Sequence, residues 1–467
     1  MARTLARGAR SWRQRLAAAL LLAMPGGTAA TEPAPPETSL PGMHAERIDE
    51  SVFGGHMVVY EGGRGHARSV LLVHGIGQGG ARDWRETVGW LQASFHVVAV
   101  DLPGFGASDK ANALYSPGNY VRVLKHVADR FLHRPFALVG HSMGAVVSLR
   151  YAATYPQEVE RLVVIDAPGI LHRFSVTSQF LAHLGMEFVP PWLDPLEQLL
   201  TLARRLLAPL ERMRFEPQVI LESPKLRESL FAGDPVKIAG LAVVSENLSA
   251  VMPGVRAETL ILWGSDDTLV PLRTGRVLAM KLPRAQLEVI EKAGHTPMLE
   301  APERFRAVLQ PFLEIGLPPA SQAVQAPQAK HGTGDCRNER HRVFEGDYDL
   351  LTIDGCRQVR IRNAKVRELR IVNSTVAIDD SRIGGGETGL YASNATVVAT
   401  GVRIEGEVAI TALDSRLDLA AVDLVGSRAA VTAPTRSYVV FSFSRVASPN
   451  ARGDVHAFFT IGPANPL

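Results

Sequence analysis

The apolar positions along this chain keep three different rhythms. From 44 to 170, short continuous apolar runs alternate with stretches of helical period. His56-Met57-Val58-Val59-Tyr60 predicts an edge strand, and Ser69-Val70-Leu71-Leu72-Val73 a buried central one. Phe95-His96-Val97-Val98-Ala99-Val100, Phe136-Ala137-Leu138-Val139 and Leu162-Val163-Val164-Ile165 repeat the buried-strand pattern. Between them the 3.6-residue period predicts helices over 83–92, 120–131 and 145–152. From 170 to 252 the pattern is helical in period, with few strand signals. Strands return at Thr259-Leu260-Ile261-Leu262-Trp263 and Gln286-Leu287-Glu288-Val289-Ile290, before a helix over 302–313.

The third rhythm follows a proline- and alanine-rich linker at 317–335. Short β-rich pieces recur at Asn373-Ser374-Thr375-Val376, Asn394-Ala395-Thr396-Val397, Asp414-Ser415-Arg416-Leu417 and Thr435-Arg436-Ser437-Tyr438, starting 21, 20 and 21 residues apart. Half-period echoes stand at Asn363 and Asp380. One such coil has an apolar side that only stacking on the next can bury, so the pattern predicts a parallel β-solenoid. The asparagines at the recurring turn predict a hydrogen-bonded ladder. The fold class is therefore α/β, a mostly parallel sheet covered on both faces with a helical cap at 170–252, followed by an all-β, right-handed parallel β-helix-like domain at 336–467.

Composition changes this picture at the N-terminus. Arg3, Arg7, Arg10, Arg13 and Arg15 precede an apolar run, Leu16 to Met24, and a small-residue site at Thr28-Ala29-Ala30. Residues 1–30 thus read as a secretory signal peptide, with a mitochondrial transit peptide as the rival, and a proline- and threonine-rich tether follows at 31–43. Without those arginines the net charge turns from +3 to −2, so the basic balance gives no case for nucleic acid. Export implies a secreted or periplasmic protein. Cys336 and Cys356 stand 20 residues apart, about one repeat, so neighbouring coils can bring them into a disulfide. Asn373 and Asn394 fall in glycosylation sequons, which matter only in a eukaryotic secretory host.

The candidate chemistry centres on Gly140-His141-Ser142-Met143-Gly144, a serine between two glycines at a strand-to-helix turn. That is the nucleophile-elbow pattern, in which a sharp, strained turn holds the hydroxyl clear of the sheet at a helix N-terminus. A serine needs a base, and the base an orienting acid. His295, in Ala293-Gly294-His295, and Asp267, in Gly264-Ser265-Asp266-Asp267, both follow strands. They lie where a parallel sheet gathers its functional loops. Asp266 and Asp166 are the competing acids. The oxyanion hole takes one N–H from Met143 and a second from the glycine-rich loop after Val73, with Ile76 as the donor. His74 is assigned to substrate binding, with ordering of the oxyanion loop as its other role. Asp101 reads as fixing its own turn and His141 as packing the elbow. Phe174, Phe180 and Trp192, in the cap, are the candidate substrate contacts, with cap core as the alternative. No metal-ligand spacing or phosphate loop appears, and no cofactor is expected.

Residues 44–316 resemble the α/β-hydrolase family, in its esterase, lipase and C–C hydrolase branch. The resemblance rests on His74-Gly75, Asp101-Leu102-Pro103-Gly104-Phe105-Gly106-Ala107-Ser108, the elbow, Gly264 to Asp267 with Pro271, and Gly294-His295. It implies an eight-stranded sheet, a cap after the sixth strand and hydrolysis through an acyl-serine intermediate. Serine at the elbow argues against the epoxide hydrolase and haloalkane dehalogenase branches, which place aspartate there. The leading expectation is an exported serine hydrolase of carboxylic esters with a hydrophobic moiety, in the carboxylesterase and lipase class, with peripheral membrane contact. The same triad serves C–C, amide and lactone bonds. A third reading makes the solenoid the working part, binding a polysaccharide or cell surface. Acidic residues of the solenoid stand mostly at turns, which predicts a non-catalytic accessory module whose deletion leaves turnover of a small ester intact.

Overall fold

The computed structural model describes residues 40–172, 175, 217–317 and 330–467. Its first region is an eight-stranded sheet in the order β1-β2-β4-β3-β5-β6-β7-β8. The strands are β1 (His44–Glu50), β2 (Gly55–Gly62), β3 (Ser69–Val73), β4 (His96–Asp101), β5 (Phe136–His141), β6 (Val159–Ile165), β7 (Glu258–Gly264) and β8 (Ala285–Ile290). From β4 to β8 all neighbours are parallel. The continuous apolar runs of β3, β4 and β5 are buried because helices cover both faces.

The edge differs from expectation. The strand at His56–Tyr60 lies second, and β1 pairs antiparallel outside it. Its polar sequence, His-Ala-Glu-Arg-Ile-Asp-Glu, suits a half-exposed edge and carries almost no apolar signal.

The helices are α1 (Arg85–Leu91), α2 (Pro117–Phe131), α3 (Met143–Thr154), α4 (Pro217–Glu222), α5 (Pro224–Phe231), α6 (Pro235–Val244), α7 (Arg273–Lys281) and α8 (Pro302–Ile315), with a single helical turn at Pro297–Glu300. α2 starts three residues before its expected Tyr120. Ser116 caps it by accepting from the Asn119 N–H at 3.3 Å, and Pro117 fits its first turn. The described part of the cap is helical, α4 to α6, each opening on proline. Arg227 of α5 donates to the Asn112 side chain at 2.9 Å and so ties the cap to the loop after β4. Among the described residues no helix is long and apolar enough to cross a membrane.

The second region is the solenoid, β9 (Lys330–Arg337), β10 (Val343–Asp354), β11 (Val359–Val372), β12 (Thr375–Asp379), β13 (Arg382–Gly384), β14 (Thr388–Ser393), β15 (Thr396–Thr400), β16 (Arg403–Leu413), β17 (Arg416–Ala420), β18 (Asp423–Thr432), β19 (Ser437–Ala447) and β20 (Arg452–Ile461). Strands stack parallel from coil to coil until β20, which returns antiparallel on β19 and closes the stack. β9 takes in the last residues read as linker. The expected ladder forms: Asn394 donates to Asn373 at 2.9 Å, and Asn373 to Asp354 at 3.4 Å. Both asparagines sit at φ near +48°, the left-handed conformation that Asn tolerates.

Cys336 and Cys356 are joined in a disulfide, with Cα atoms 6.5 Å apart. The register behind it is not the expected one. Cys336 lies opposite Ile353, and in this first coil the stacking period is 17 residues. β11 stacks on β10 at 17 to 18 residues, and from β14 and β15 onward the strands stack at 20 to 22, as in Thr396↔Arg416 and Arg416↔Tyr438. Cys356 therefore stands past the end of β10, at the next corner, and the bridge crosses diagonally between coils.

The solenoid is not a separate appendage. Ala420 and Phe443 belong to the hydrophobic core of the first region, whereas their neighbours Leu419 and Phe441 belong to the solenoid's own core.

Candidate active site

The site is set by strand order. The chain leaves β3 for β4 on one side, then returns to β5 on the other, which opens a crevice at the carboxyl ends of β3 and β5. Ser142 stands at that point, between β5 and α3, with φ +51° and ψ −118°. A non-glycine residue rarely holds such a conformation, and the surrounding bonds impose it. Its N–H donates to the Ile165 carbonyl at 2.8 Å, and its own carbonyl accepts from Ala145 at 3.0 Å. The turn needs a glycine two residues on: a Cβ on Gly144 would lie 2.3 Å from the Val73 carbonyl oxygen.

Three of the expected side chains meet in one line. His295 Nε2 lies 3.0 Å from Ser142 Oγ, and His295 Nδ1 lies 2.8 Å from Asp267 Oδ2. Asp267 is buried and His295 partly open. The second carboxylate oxygen of Asp267 accepts from the Leu269 and Val270 N–H groups at 2.8 and 2.9 Å, which locks the acid in its turn. Trp263 holds the same turn, donating to the Val270 carbonyl at 3.0 Å.

The rival acids fall elsewhere. Asp266 is exposed and meets Ser265. Asp166 is buried and accepts from the Gly264 N–H at 3.0 Å. Burial, and then the Asp267 carboxylate beside it, push Asp166 up to about 9, so it is neutral at pH 7.

The glycine-rich loop after β3 rests on the nucleophile. A Cβ on Gly75 would lie 2.9 Å from Ser142 Cβ and from His141 Nδ1, so only glycine permits the approach. Ile76 is the next residue along. Met143 is the first residue of α3, where an N–H has no partner within the helix. His74, read as a substrate contact, is instead fully buried. Its Nε2 accepts from the Leu102 N–H at 3.0 Å, which leaves Nδ1 to donate to the Gly75 carbonyl at 2.6 Å. It therefore pins the loop and faces no open space. Asp101 accepts from Ala81, Ala107 and Tyr60, between 2.7 and 2.9 Å, and fixes its turn. Phe174, Phe180 and Trp192 lie outside the described residues.

Two supports of His295 go unassigned in the sequence, where His141 reads only as packing the elbow. His141 Nε2 lies 2.7 Å from the His295 carbonyl and donates to it. Burial, with His295 adding to it, brings the His141 imidazole down to about 3, so it is neutral. Glu300 accepts from the Gly294 and Thr296 N–H groups at 2.7 and 3.0 Å and brackets His295. Burial raises the Glu300 carboxyl, but the bonds from Gly294 and Thr296 outweigh it and hold the group below its usual range. The only sequence signal was a glutamate five residues past the histidine. His141, Asp166 and His295 also offer ligand atoms within 4.8 Å of one another. Both His295 nitrogens are engaged with Ser142 and Asp267, however, which suits proton transfer and leaves that ring no free donor for a cation.

The chain is similar to several known proteins. The monoacylglycerol lipase ABHD6 of Homo sapiens is 27% identical over 274 residues, 54% of this chain and 77% of that protein. A 2-hydroxy-6-oxononadienedioate/2-hydroxy-6-oxononatrienedioate hydrolase of Comamonas testosteroni is 29% identical over 262 residues, 54% of this chain and 90% of that protein. Among solved structures, a membrane phospholipase A is 26% identical with a TM-score of 0.43, covering 58% of this chain and 86% of its own. The model of the alpha/beta hydrolase family matches residues 70–308, half of the chain, and the chain belongs to that family.

Proposed function

We propose that this hydrolase cleaves carboxylic esters with a hydrophobic portion through an acyl-serine intermediate. The observation that carries the reading is the unbroken line Asp267–His295–Ser142, at 2.8 and 3.0 Å. His295 takes the Ser142 proton as the hydroxyl attacks the acyl carbon, then returns it to the leaving alcohol. Asp267 holds the tautomer with Nδ1 protonated and stabilises the imidazolium. The N–H groups of Met143 and Ile76 receive the oxyanion, and such a donor typically contributes about 3 kcal/mol to the transition state. Water, activated by His295, releases the acid and restores Ser142.

The similarity to a monoacylglycerol lipase of Homo sapiens supports a hydrophobic acyl substrate. The Comamonas testosteroni relative gives the runner-up, cleavage of a C–C bond by the same side chains. We read residues 1–30 as an export signal, and the Cys336–Cys356 disulfide supports an oxidising compartment.

The deciding experiment is hydrolysis of p-nitrophenyl esters, from acetate to palmitate, by the wild type and by Ser142→Ala. Release that disappears in the variant supports the ester reading, and the preferred chain length sizes the acyl site. Failure to release at every length, with turnover of a vinylogous diketone, would move the assignment to C–C hydrolysis.

A further inference from the structure

Along β17, side chains alternate between the solenoid interior and its outside. Leu417 and Leu419 point inward and join the solenoid core. Arg416, Asp418 and Ala420 therefore point outward, where a free coil would show them to solvent. Yet Asp418 is 3% exposed and Ala420 0%. On the neighbouring strands, outward Thr400 of β15 and Ser442 of β19 are 1% and 0% exposed. The first region covers this face of three successive coils.

What covers it is specific. Arg273, the first residue of α7, sends its whole guanidinium into the solenoid. Nε donates to Thr400 Oγ1 at 2.7 Å, and Nη2 to the carbonyls of Ala399 and Asp418 at 2.8 and 3.2 Å. Nη1 lies 3.0 Å from Asp418 Oδ2, an ion pair with side chains only 12% and 4% exposed. The other carboxylate oxygen, Oδ1, accepts from Ser175 Oγ at 3.0 Å. Three residues earlier, the His172 N–H donates to Ser442 Oγ at 2.8 Å.

The two segments so gripped are not arbitrary. Arg273 stands six residues past Asp267, at the end of the turn that Asp267, Trp263 and Val270 hold together. His172 and Ser175 lie on the chain leaving β6, past Asp166, where it enters the cap. One solenoid carboxylate thus ties the acid-bearing loop to the entrance of the cap.

We infer that Asp418 is a positioning residue for the active site, and that the solenoid serves as the fixed frame on which the Asp267 loop and the cap entrance are set. This rests on the hydrolase reading above. It also revises the expectation of a dispensable module: removing residues 319–467 would strip Arg273 of every bond described here and open the core at Ala420 and Phe443.

The test uses the full chain and a fluorophosphonate probe, whose labelling rate at Ser142 reports nucleophile activation whatever the natural substrate. It is paired with kcat and KM for p-nitrophenyl acetate and a thermal melt, all assays run well below the melting transition. Asp418→Asn should label about tenfold more slowly, with kcat falling in step and KM unchanged, because small misplacements of an orienting group are costly. Thr400→Val removes only the Nε acceptor and should slow labelling about threefold with no change of fold. It serves as the second variant, since breaking one side of a buried ion pair can unfold a protein. Ser175→Ala should instead raise KM and spare kcat, a split that general loss of stability does not produce. Wild-type labelling rates in folded Asp418→Asn and Thr400→Val would overturn the inference. A wild type that resists the probe altogether would overturn the serine hydrolase reading itself.

Discussion

Both halves of this molecule are built largely from parallel strands, yet among the described residues only the first brings a serine, a histidine and an aspartate into one line. In the first region, sheet neighbours come from distant parts of the chain, and the loops at the strand ends differ in length and sequence. The reversal of strand order around β3 leaves a crevice, and each strand end there delivers a different group: Gly75, Ser142, Asp166, Asp267 and His295. In the solenoid every coil pairs with the next at 16 to 22 residues, so like positions stack on like. The outcome is a ladder. Asn394 meets Asn373, and Ser374, Ser415 and Ser437 each accept from a backbone N–H of the preceding coil. Unequal crossovers concentrate chemistry, whereas equal ones repeat a structural bond. Asp418 is an outward residue of this stack that serves the other region instead.

The largest expected effect breaks the comparison on the catalytic side. Asp267→Asn should cost about 10³ to 10⁴ in kcat, the scale seen when a triad acid can no longer hold the tautomer. Asp166→Asn, equally buried and adjacent, should cost far less, because His295 Nδ1 meets Asp267 alone. Steady-state kinetics on one ester decides it. An equal loss in both variants would mean that the two carboxyls share the role.

The next effect concerns whether the halves are separable at all. Phe443→Ala, on β19 but within the core of the first region, should lower stability by about 3 kcal/mol. Calorimetry should show one transition moving as a whole, since the two cores meet across Ala420 and Phe443. Two transitions, with only the solenoid's shifted, would show that the interface carries little of the folding energy.

The interface also marks where the sequence stopped being informative. Ser142, Asp267 and His295 each follow an apolar run, so spacing alone placed them at strand ends. The solenoid was legible because its turns repeat Asn, Asp and Ser at a steady interval. β1 was not, since its polar edge sequence has no apolar signal. Arg416-Leu417-Asp418-Leu419 reads as ordinary alternation with solvent on one side, and nothing local says that another region covers that side. His141 and Glu300 escaped for the same reason: their partners are backbone groups of the His295 loop, and backbone leaves no trace in a sequence pattern.

A smaller effect isolates the first coils. Cys336→Ser with Cys356→Ser should destabilise the solenoid by about 2 to 4 kcal/mol, as expected for a loop of this size. Ester turnover well below the melting transition should not change, because the bridge joins β9 to the corner after β10, away from β15 and β17, whose face meets Arg273. A turnover loss as large as that of Asp418→Asn would mean that the whole stack, rather than one face of it, sets the site.

The last effect is on pH, and each region carries one histidine kept neutral. Burial, with His295 beside it, holds His141 at about 3. Burial, with His172 beside it, holds His456 at about 4; its ring packs on Phe443. Lys281 and Asp454 line the same cleft as His456. Both imidazoles have folded values below the ordinary 6.5, so the unfolded chain binds protons that the folded chain refuses. Stability from each is present above 6.5 and drains away as pH falls toward the folded value, by up to about 2 kcal/mol at pH 5. Denaturant melts from pH 7 to 5 should show this slope. His456→Gln should flatten it at the interface without touching the ester reaction, whereas His141→Gln should flatten it and also slow turnover, because it loosens the His295 carbonyl. If His456→Gln leaves the slope unchanged, the interface stays closed on acidification, and the acid sensitivity belongs to the active-site region alone.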